Sequence, residues 1–142
     1  MEVTLKQAIN IIAKFYLPLG GVWKNDPIEK DEIYRFISAG YASLDDEYCE
    51  KYVLNDVGRA FMHPYIQQIS EQFIAFLHSN CSECSHIKAY EWFNSFFHLD
   101  DLELAEDICT YICMNLDRYD HKVLDCYSSR KGKFYCLKKI NE

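Results

Sequence analysis

Residues 31–62, DEIYRFISAGYASLDDEYCEKYVLNDVGRAFM, are the stretch that decides the fold of this chain. Apolar residues at helical spacing end at Gly40, and glycine is the residue that most readily takes the left-handed conformation in which helices end. Two short segments that suit a pleated, half-buried surface follow at 41–44 and 51–54, with an acidic turn between them. A new helix is expected from Asn55. The stretch therefore predicts a helix, a β-hairpin and a second helix in succession.

Two helix-start signals lie upstream of this stretch. The nearer one consists of Asp26 as an acidic cap, Pro27 at the first helical position and Glu29 three residues after the cap. The helix that ends at Gly40 is therefore expected to begin there. Residues 4–7, Thr-Leu-Lys-Gln, have the form of a capping box and predict the start of the first helix.

The remaining apolar spacing completes a mainly helical α+β fold. Pro64 is expected to break or kink the helix that begins at Asn55, so a separate helix is predicted after it. A second hairpin is predicted at 123–127 and 134–140, while 22–23 and 79–85 are predicted as loops. The two helix-then-hairpin arrangements share no residue pattern, so no repeat is predicted. At 142 residues the chain, 1–142, is predicted to be a single domain. It is expected to contain about six helices, at 4–16, 26–39, 55–62, 65–78, 86–98 and 100–117, and two β-hairpins.

The composition is that of a globular and acidic chain. Hydrophobic residues make up 49% of the sequence, with 11 Tyr, 9 Phe and 2 Trp, which is ample for a core at this length. No apolar run reaches transmembrane length, no signal peptide is recognised, and the seven cysteines are an odd number. We therefore expect a cytoplasmic protein with reduced thiols and no membrane partner. The net charge of −7 argues against a nucleic-acid binder and permits a basic partner.

Residues 37–59 carry a resemblance to a known family. With ISAGY at their start and KYVLNDVGR at their end, they resemble the wing of bacterial winged-helix regulators. In that wing, a helix ends in a leucine–glycine–aromatic strand start, and the returning strand reads tyrosine–x–leucine–threonine–x–x–glycine–arginine. Leu54, Gly58 and Arg59 match this pattern, whereas Asn55 stands where threonine is usual. The resemblance implies that the first hairpin is wing-like.

The same resemblance implies transcription regulation as one function. A winged-helix reader presents basic and polar side chains to the major groove of DNA. The predicted wing tip instead carries Asp45, Asp46 and Glu47, which would repel phosphate groups. Regulation is therefore retained as the alternative function.

One segment has the spacing of metal ligands, with His78, Cys81, Cys84 and His86 in a short run. Thiolate and imidazole are preferred ligands of zinc, and Cys-x2-Cys is half of a zinc knuckle. All four candidates lie within nine residues, whereas structural zinc sites usually draw a second pair from a distant segment. A zinc site, a reactive dithiol and an ordinary loop between helices all remain open, and the ordinary loop is favoured. We predict no bound metal and no other cofactor.

No catalytic signature stands out in the sequence. The glycine pair at 20–21 lacks the Lys-Ser/Thr continuation of a phosphate-binding loop, and there is no Gly-x-Ser-x-Gly nucleophile elbow. The paired acids at 45–46 and 100–101 are typical of a turn and of a helix start. We therefore predict that the protein is not an enzyme.

The C-terminal third separates its charges. Residues 100–120 hold seven acids and one base, whereas 130–139 hold five bases and no acid. If the helix predicted here is amphipathic, Ala105, Ile108 and Ile112 are buried and the acids project to solvent. A solvated helix face and a partner-binding surface fit equally well, and the acids interleaved with Tyr111 and Tyr119 resemble the second. The predicted partner-binding residues are Asp100, Asp101, Glu103, Glu106, Asp107 and Tyr111, with Asp45, Asp46 and Glu47 at the wing tip.

These observations predict a small acidic protein that binds a basic partner protein. In general character, and through no particular motif, the chain is similar to bacterial immunity proteins, which neutralise a basic nuclease toxin by covering its active site. A winged-helix-type transcription regulator and a zinc-stabilised adaptor are the alternatives.

Overall fold

The computed structural model describes residues 1–47, 50–80, 83–119, 124–130 and 132–137, and for 117–119, 125–127 and 129 it describes the backbone only. The described residues form five helices and six strands, so the fold is α+β and mainly helical, as predicted. The helices are α1 (Leu5–Phe15), α2 (Asp31–Ser38), α3 (Asp56–Ser79), α4 (His86–Phe96) and α5 (Leu102–Tyr119). The strands are β1 (Val22–Trp23), β2 (Ala42–Leu44), β3 (Lys51–Leu54), β4 (Glu83–Ser85), β5 (Leu124–Ser129) and β6 (Gly132–Leu137).

The chain divides into two compact units, Met1–Ile66 (unit 1) and Gln67–Glu142 (unit 2), with the boundary inside α3. Each unit contains a three-stranded antiparallel sheet, ordered β1-β3-β2 in unit 1 and β4-β6-β5 in unit 2. In both sheets the second hairpin strand lies between its hairpin partner and an earlier strand. The same strand arrangement therefore occurs twice, although the two copies share no residue pattern.

The first helix starts as its sequence predicts. The Thr4 hydroxyl accepts a hydrogen bond from the Gln7 amide (3.1 Å), and the Gln7 side-chain oxygen accepts one from the Thr4 amide (2.9 Å). These two bonds complete a capping box. Ala8, Ile9 and Ile12 are fully buried, so α1 contributes one wall of the unit 1 core.

The second helix begins at Asp31, and the prediction that it begins at Asp26 is wrong. The Asp26 amide donates to the Trp23 carbonyl oxygen (3.0 Å), which closes a turn directly after β1. The segment 22–23, predicted as a loop, forms β1 and pairs with β3. Because this long-range pairing is followed by a turn at Asp26, the local cap and proline do not start a helix.

The end of α2 is the one that the sequence predicts. The Gly40 amide donates to the Ile37 carbonyl oxygen (3.0 Å), and the Tyr41 amide donates to the Phe36 carbonyl oxygen (3.2 Å). This pair of bonds is a Schellman motif, with Gly40 in the left-handed region at φ 85°. The Phe36 and Tyr41 rings pack with their centroids 5.3 Å apart, which directs the chain from the helix into the hairpin.

Asn55 joins this hairpin to the helices on both sides of it. Its side-chain nitrogen donates to the Gly40 carbonyl oxygen (2.8 Å) and to Ser43 Oγ (2.6 Å), while its side-chain oxygen accepts from the Gly58 amide (2.8 Å). The last of these bonds caps the start of α3. A Cβ atom on Gly58 would collide with the Tyr41 carbonyl oxygen, so this helical position requires glycine.

α3 continues through Pro64, and the two helices predicted on either side of that residue are one. This is why the described residues contain five helices and not six. An internal proline removes a backbone hydrogen bond and costs about 3 kcal/mol or more. Met62, Ile66 and Ile69 are all buried at helical spacing around it. Each such side chain contributes about 1.5–3 kcal/mol when buried, which offsets the cost.

In unit 2, the segment 79–85 supplies a strand where a loop was predicted. Its last three residues form β4 and pair with β6, and Ser85 then caps α4 by accepting from the Lys88 amide (3.3 Å). The predicted second hairpin is present as β5 and β6, while the predicted strand residues 123 and 138–140 lie outside the described residues. None of the helices among the described residues combines the length and the hydropathy that crossing a membrane requires.

Candidate partner-binding surface

α5 has one buried face and one exposed face. Ala105, Ile108 and Ile112 are fully buried, as predicted. Residues of a helix follow each other at about 100° around its axis, so the residues between them point to the opposite side. α5 therefore fills the unit 2 core with one face and presents carboxylates with the other. The exposed acids are Glu103, Glu106 and Asp107.

Apolar side chains lie among these acids. Leu102 is 59% exposed and Met114 is 43% exposed. Leu102, Glu106, Thr110 and Met114 are spaced by four residues and form one stripe along the helix, which we call the α5 stripe. The sequence prediction missed Leu102 and Met114, although their spacing from Glu106 could have revealed them.

The middle of the α5 stripe lies beside the neighbouring helix. On α4, Tyr90 lies close to Thr110 and Glu106 of the stripe. Burial raises the pKa of the Tyr90 hydroxyl, and the nearby Cys109 thiol and Glu106 carboxylate add to the increase. Tyr90 therefore stays neutral beside the stripe.

The two aspartates that precede α5, Asp100 and Asp101, differ in how they contribute to the fold. Asp101 Oδ1 accepts hydrogen bonds from the amides of Glu103 (3.0 Å) and Leu104 (3.2 Å), so it caps the helix. The Asp101 amide donates to Asn94 Oδ1 (3.0 Å), which fixes the connection from α4. Asp100 is exposed in the left-handed region, at φ 57°. Asp101 thus already uses its carboxylate within the fold, whereas among the described side chains no hydrogen bond or ion pair of the Glu103, Glu106 and Asp107 carboxylates is found.

The other predicted partner-binding residues differ in their exposure and in their contacts. Tyr111 is half-buried and already engaged within the structure. At the turn of the first hairpin, the Asp45 amide donates to the Lys51 carbonyl oxygen (2.8 Å), and Asp45 Oδ1 accepts from the Glu47 amide (3.1 Å). Asp46 and Glu47 are exposed. The predicted acidic residues therefore divide between the two units, with the turn of the first hairpin in unit 1 and α5 in unit 2.

The candidate metal ligands occupy different environments. His78 is exposed at the end of α3, and Cys81 lies outside the described residues. Cys84 is buried in β4. His86 Nδ1 lies 3.0 Å from the carbonyl oxygen and 3.2 Å from the amide nitrogen of Lys133, so it joins the start of α4 to β6. In the part of the chain that the structure describes, no three His, Cys, Asp or Glu side chains are grouped to hold a metal ion.

The buried thiols of unit 2 have the environment of core residues. Burial raises the pKa of the Cys84 thiol to about 12, and the nearby Cys109 thiol adds to the increase. Cys109 and Cys113 lie one helical turn apart on α5, with their Sγ atoms separated by 3.9 Å. A reactive cysteine needs a lowered pKa and exposure, and Cys84 has neither.

Known proteins provide no direct lead to the function. No protein-family model, curated protein or solved structure matches this chain. The acidic and apolar face of α5 is therefore the feature from which function can be argued.

Proposed function

We propose that this protein binds a basic partner protein through the exposed face of α5 and performs no chemistry itself. The observation that supports the proposal is the α5 stripe, in which Leu102 and Met114 are exposed on the same side as Glu106. Isolated exposed apolar residues are common on protein surfaces. Their combination with an unpaired acidic row is typical of an interface, in which apolar residues anchor and charges select the partner.

The acids of this face are available to a partner. Among the described residues, Glu103, Glu106 and Asp107 form no ion pair; the ion pairs found are Arg35–Asp31 and Arg59–Asp56, both in unit 1. Carboxylates without a cation nearby attract a basic surface and raise its association rate.

The exposed face of α5 is also already ordered, so little further ordering of its side chains is needed on binding. The opposite face of α5 is buried in the core, and its first turn is capped by Asp101. A surface that is already ordered loses less conformational entropy on association.

The partner class that fits this surface is a strongly basic protein, and a nuclease-type toxin is the specific case that we propose. A nuclease needs a positively charged surface to hold phosphates, so an acidic protein that covers this surface would block it. In this role the chain would act as an immunity protein in the cytoplasm.

Charge reversal on α5 tests the proposal. The partner would first be captured from a lysate of the source cells by the full-length protein, and its association then followed by stopped flow at two salt concentrations. We expect E106K/D107K to slow association at low salt and to flatten its salt dependence, because screening removes the steering that these acids provide.

A matched variant controls for net charge. E2K/E71K changes the charge equally at two other exposed acids and should associate like the wild type. Equal association rates for E106K/D107K and the wild type would show that the α5 face does not bind the partner.

The alternative function is a winged-helix-type transcription regulator. The observation that favours it is the repeated sheet order with a helix ahead of each hairpin, together with the exposed Arg130 at the turn of the second hairpin. The acids at the wing tip and on α5 oppose phosphate binding. Fluorescence anisotropy with duplex DNA at about 150 mM salt separates the two functions. Protein binding predicts no complex at micromolar concentrations, whereas a salt-sensitive complex would favour regulation.

A further inference from the structure

Unit 1 contains a cleft of about 430 Å³ that is distinct from the α5 face. It is lined by α1, β1, α2 and the segment 26–30. Its apolar lining comes from Ala13, Val22 and Ile33, with Pro27 and Ile28 of the segment. Small-molecule sites typically measure about 300–1,000 Å³, so this cleft has the size for a small ligand.

One wall of the cleft has its charges satisfied within the fold. Lys30 Nζ donates to Asn10 Oδ1 (3.1 Å), and Asn10 Nδ2 donates to Glu32 Oε1 (2.9 Å). Glu32 is only 8% exposed. Because both ends of the Asn10 amide are engaged, the Lys30 ammonium and the buried Glu32 carboxylate are linked through it. Asn10 and Lys30 of the lining are therefore tied to the buried Glu32.

The other charged residues of the lining are Lys14, Asp26 and Glu29. They carry opposite signs around one cleft, yet none of them forms an ion pair with another described residue. Charges of both signs beside an apolar lining are complementary to a ligand that carries both charges and an apolar part.

We propose that this cleft binds a small zwitterion with an aliphatic part, of the size of a free amino acid or a dipeptide. The Lys14 ammonium binds its carboxylate, and Asp26 or Glu29 binds its ammonium group. Its aliphatic part packs on Ala13, Pro27 and Ile28, the accessible apolar residues of the lining. This proposal concerns unit 1 alone and does not depend on the partner of α5, so either proposal can fail without the other.

Calorimetry on the full-length protein tests the ligand chemistry. Leucine and leucyl-leucine are the zwitterionic probes, N-acetyl-leucine lacks the cationic group, and leucinamide lacks the anionic group. We expect saturable binding of at least one zwitterion. Each singly charged compound should bind at least about tenfold more weakly, as for the loss of a hydrogen bond to a charged group. No saturable binding of either zwitterion, or equal binding of all the leucine compounds, would overturn the proposal.

Variants on the same elements test the location. K14M should weaken zwitterion binding about tenfold or more, whereas K6M, which removes an exposed lysine of the same helix outside the cleft, should not. The double variant D26N/E29Q should weaken it likewise, with E50Q as the exposed control. K14R keeps the charge and should restore most of the affinity. Circular dichroism confirms the fold of each variant, and equal affinities for K14M and K6M would exclude this cleft as the site.

Discussion

Unit 1 and unit 2 share a strand order but hold their hairpins in place by different means. In unit 1, Asn55 and Gly58 tie the hairpin to the adjoining helices through polar contacts and close backbone approach. In unit 2, Tyr135 of β6 is 1% exposed and its ring meets the Phe73 ring edge-on at 6.3 Å, while Leu124 of β5 is fully buried. The polar bonds of Asn55 in unit 1 therefore contrast with the buried Tyr135 and Leu124 in unit 2. Each hairpin also has a contact of the other kind, the Tyr41–Phe61 ring stack in unit 1 and the contact of His86 with Lys133 in unit 2.

Each unit contains one of the two tryptophans, which makes the comparison measurable. Trp23 lies in β1 of unit 1, and Trp92 lies in α4 of unit 2. A Trp92→Phe background leaves fluorescence that reports on unit 1, and a Trp23→Phe background leaves fluorescence that reports on unit 2.

The largest expected effect is on the apolar core of unit 2. Ile108→Ala should lower the free energy of unfolding by about 2–5 kcal/mol, because it removes three carbons from a fully buried site and leaves a cavity. Urea denaturation followed by Trp92 fluorescence measures it. Ile87→Ala makes the same change at a residue that is 57% exposed and should stay within about 0.5 kcal/mol of the wild type. Similar losses for the two variants would contradict the assignment of Ile108 to the core.

The next effect tests the close approach in unit 1. Gly58→Ala should cost about 1–3 kcal/mol, toward the upper end because the atom in its way belongs to the backbone of Tyr41. Gly40→Ala is the matched variant, since its Cβ would meet open space and only the left-handed conformation opposes it, at about 1–2 kcal/mol. Trp23 fluorescence in urea compares them. In an ordinary helix alanine is more stable than glycine, so a stabilised Gly58→Ala would refute the proposed clash.

A smaller effect separates the two roles of Asn55. Asn55→Ala removes both the helix cap and the bonds to Gly40 and Ser43, and it should cost about 1–2 kcal/mol. Asn55→Thr keeps a hydroxyl that can accept from the Gly58 amide but cannot replace both donated bonds, so its loss should be intermediate. The unfolding free energies of the two variants separate the contribution of the cap from that of the donated bonds. If threonine matched asparagine, the donated bonds would contribute nothing to stability; if it matched alanine, the cap would contribute nothing.

The parts of the fold that sequence could predict depend on contacts between near neighbours. The capping box at Thr4, the helix end at Gly40 and the burial of Ile108 all follow from residues three or four positions apart. The start at Asp26 failed because β1 pairs with β3, almost thirty residues along the chain, as its partners Trp23 and Lys51 show. Distant pairing of this kind leaves no local signature.

The same difference between near and distant neighbours applies to the candidate surfaces. The exposed acids of α5 were predictable from helical spacing, and so was the stripe that adds Leu102 and Met114. The cleft was not, because Lys14 and Glu29 belong to separate elements and only the folded chain makes them line one space. The acidic pair at 100–101 predicted the start of a helix, and the structure identifies Asp101 as its cap.

The smallest expected effect concerns the thiols, whose described side chains all lie in unit 2. The pKa of Cys84 is about 12 in the fold, against an ordinary value of 9.0, so between these values the unfolded thiol loses its proton while the folded one keeps it. The unfolded state then binds fewer protons, and stability falls as the pH rises above about 9, with no contribution from Cys84 at neutral pH. From pH 7.5 to pH 10 the wild type should lose about 1 kcal/mol more than Cys84→Ala, measured by urea denaturation with Trp92 fluorescence in the Trp23→Phe background. Lysines and tyrosines also titrate over this range, but they do so in both proteins. Their contribution to the change in stability therefore cancels in the comparison with Cys84→Ala. Equal losses in the two proteins would mean that the Cys84 thiol ionises as readily in the fold as in the unfolded chain, which burial against α5 does not permit.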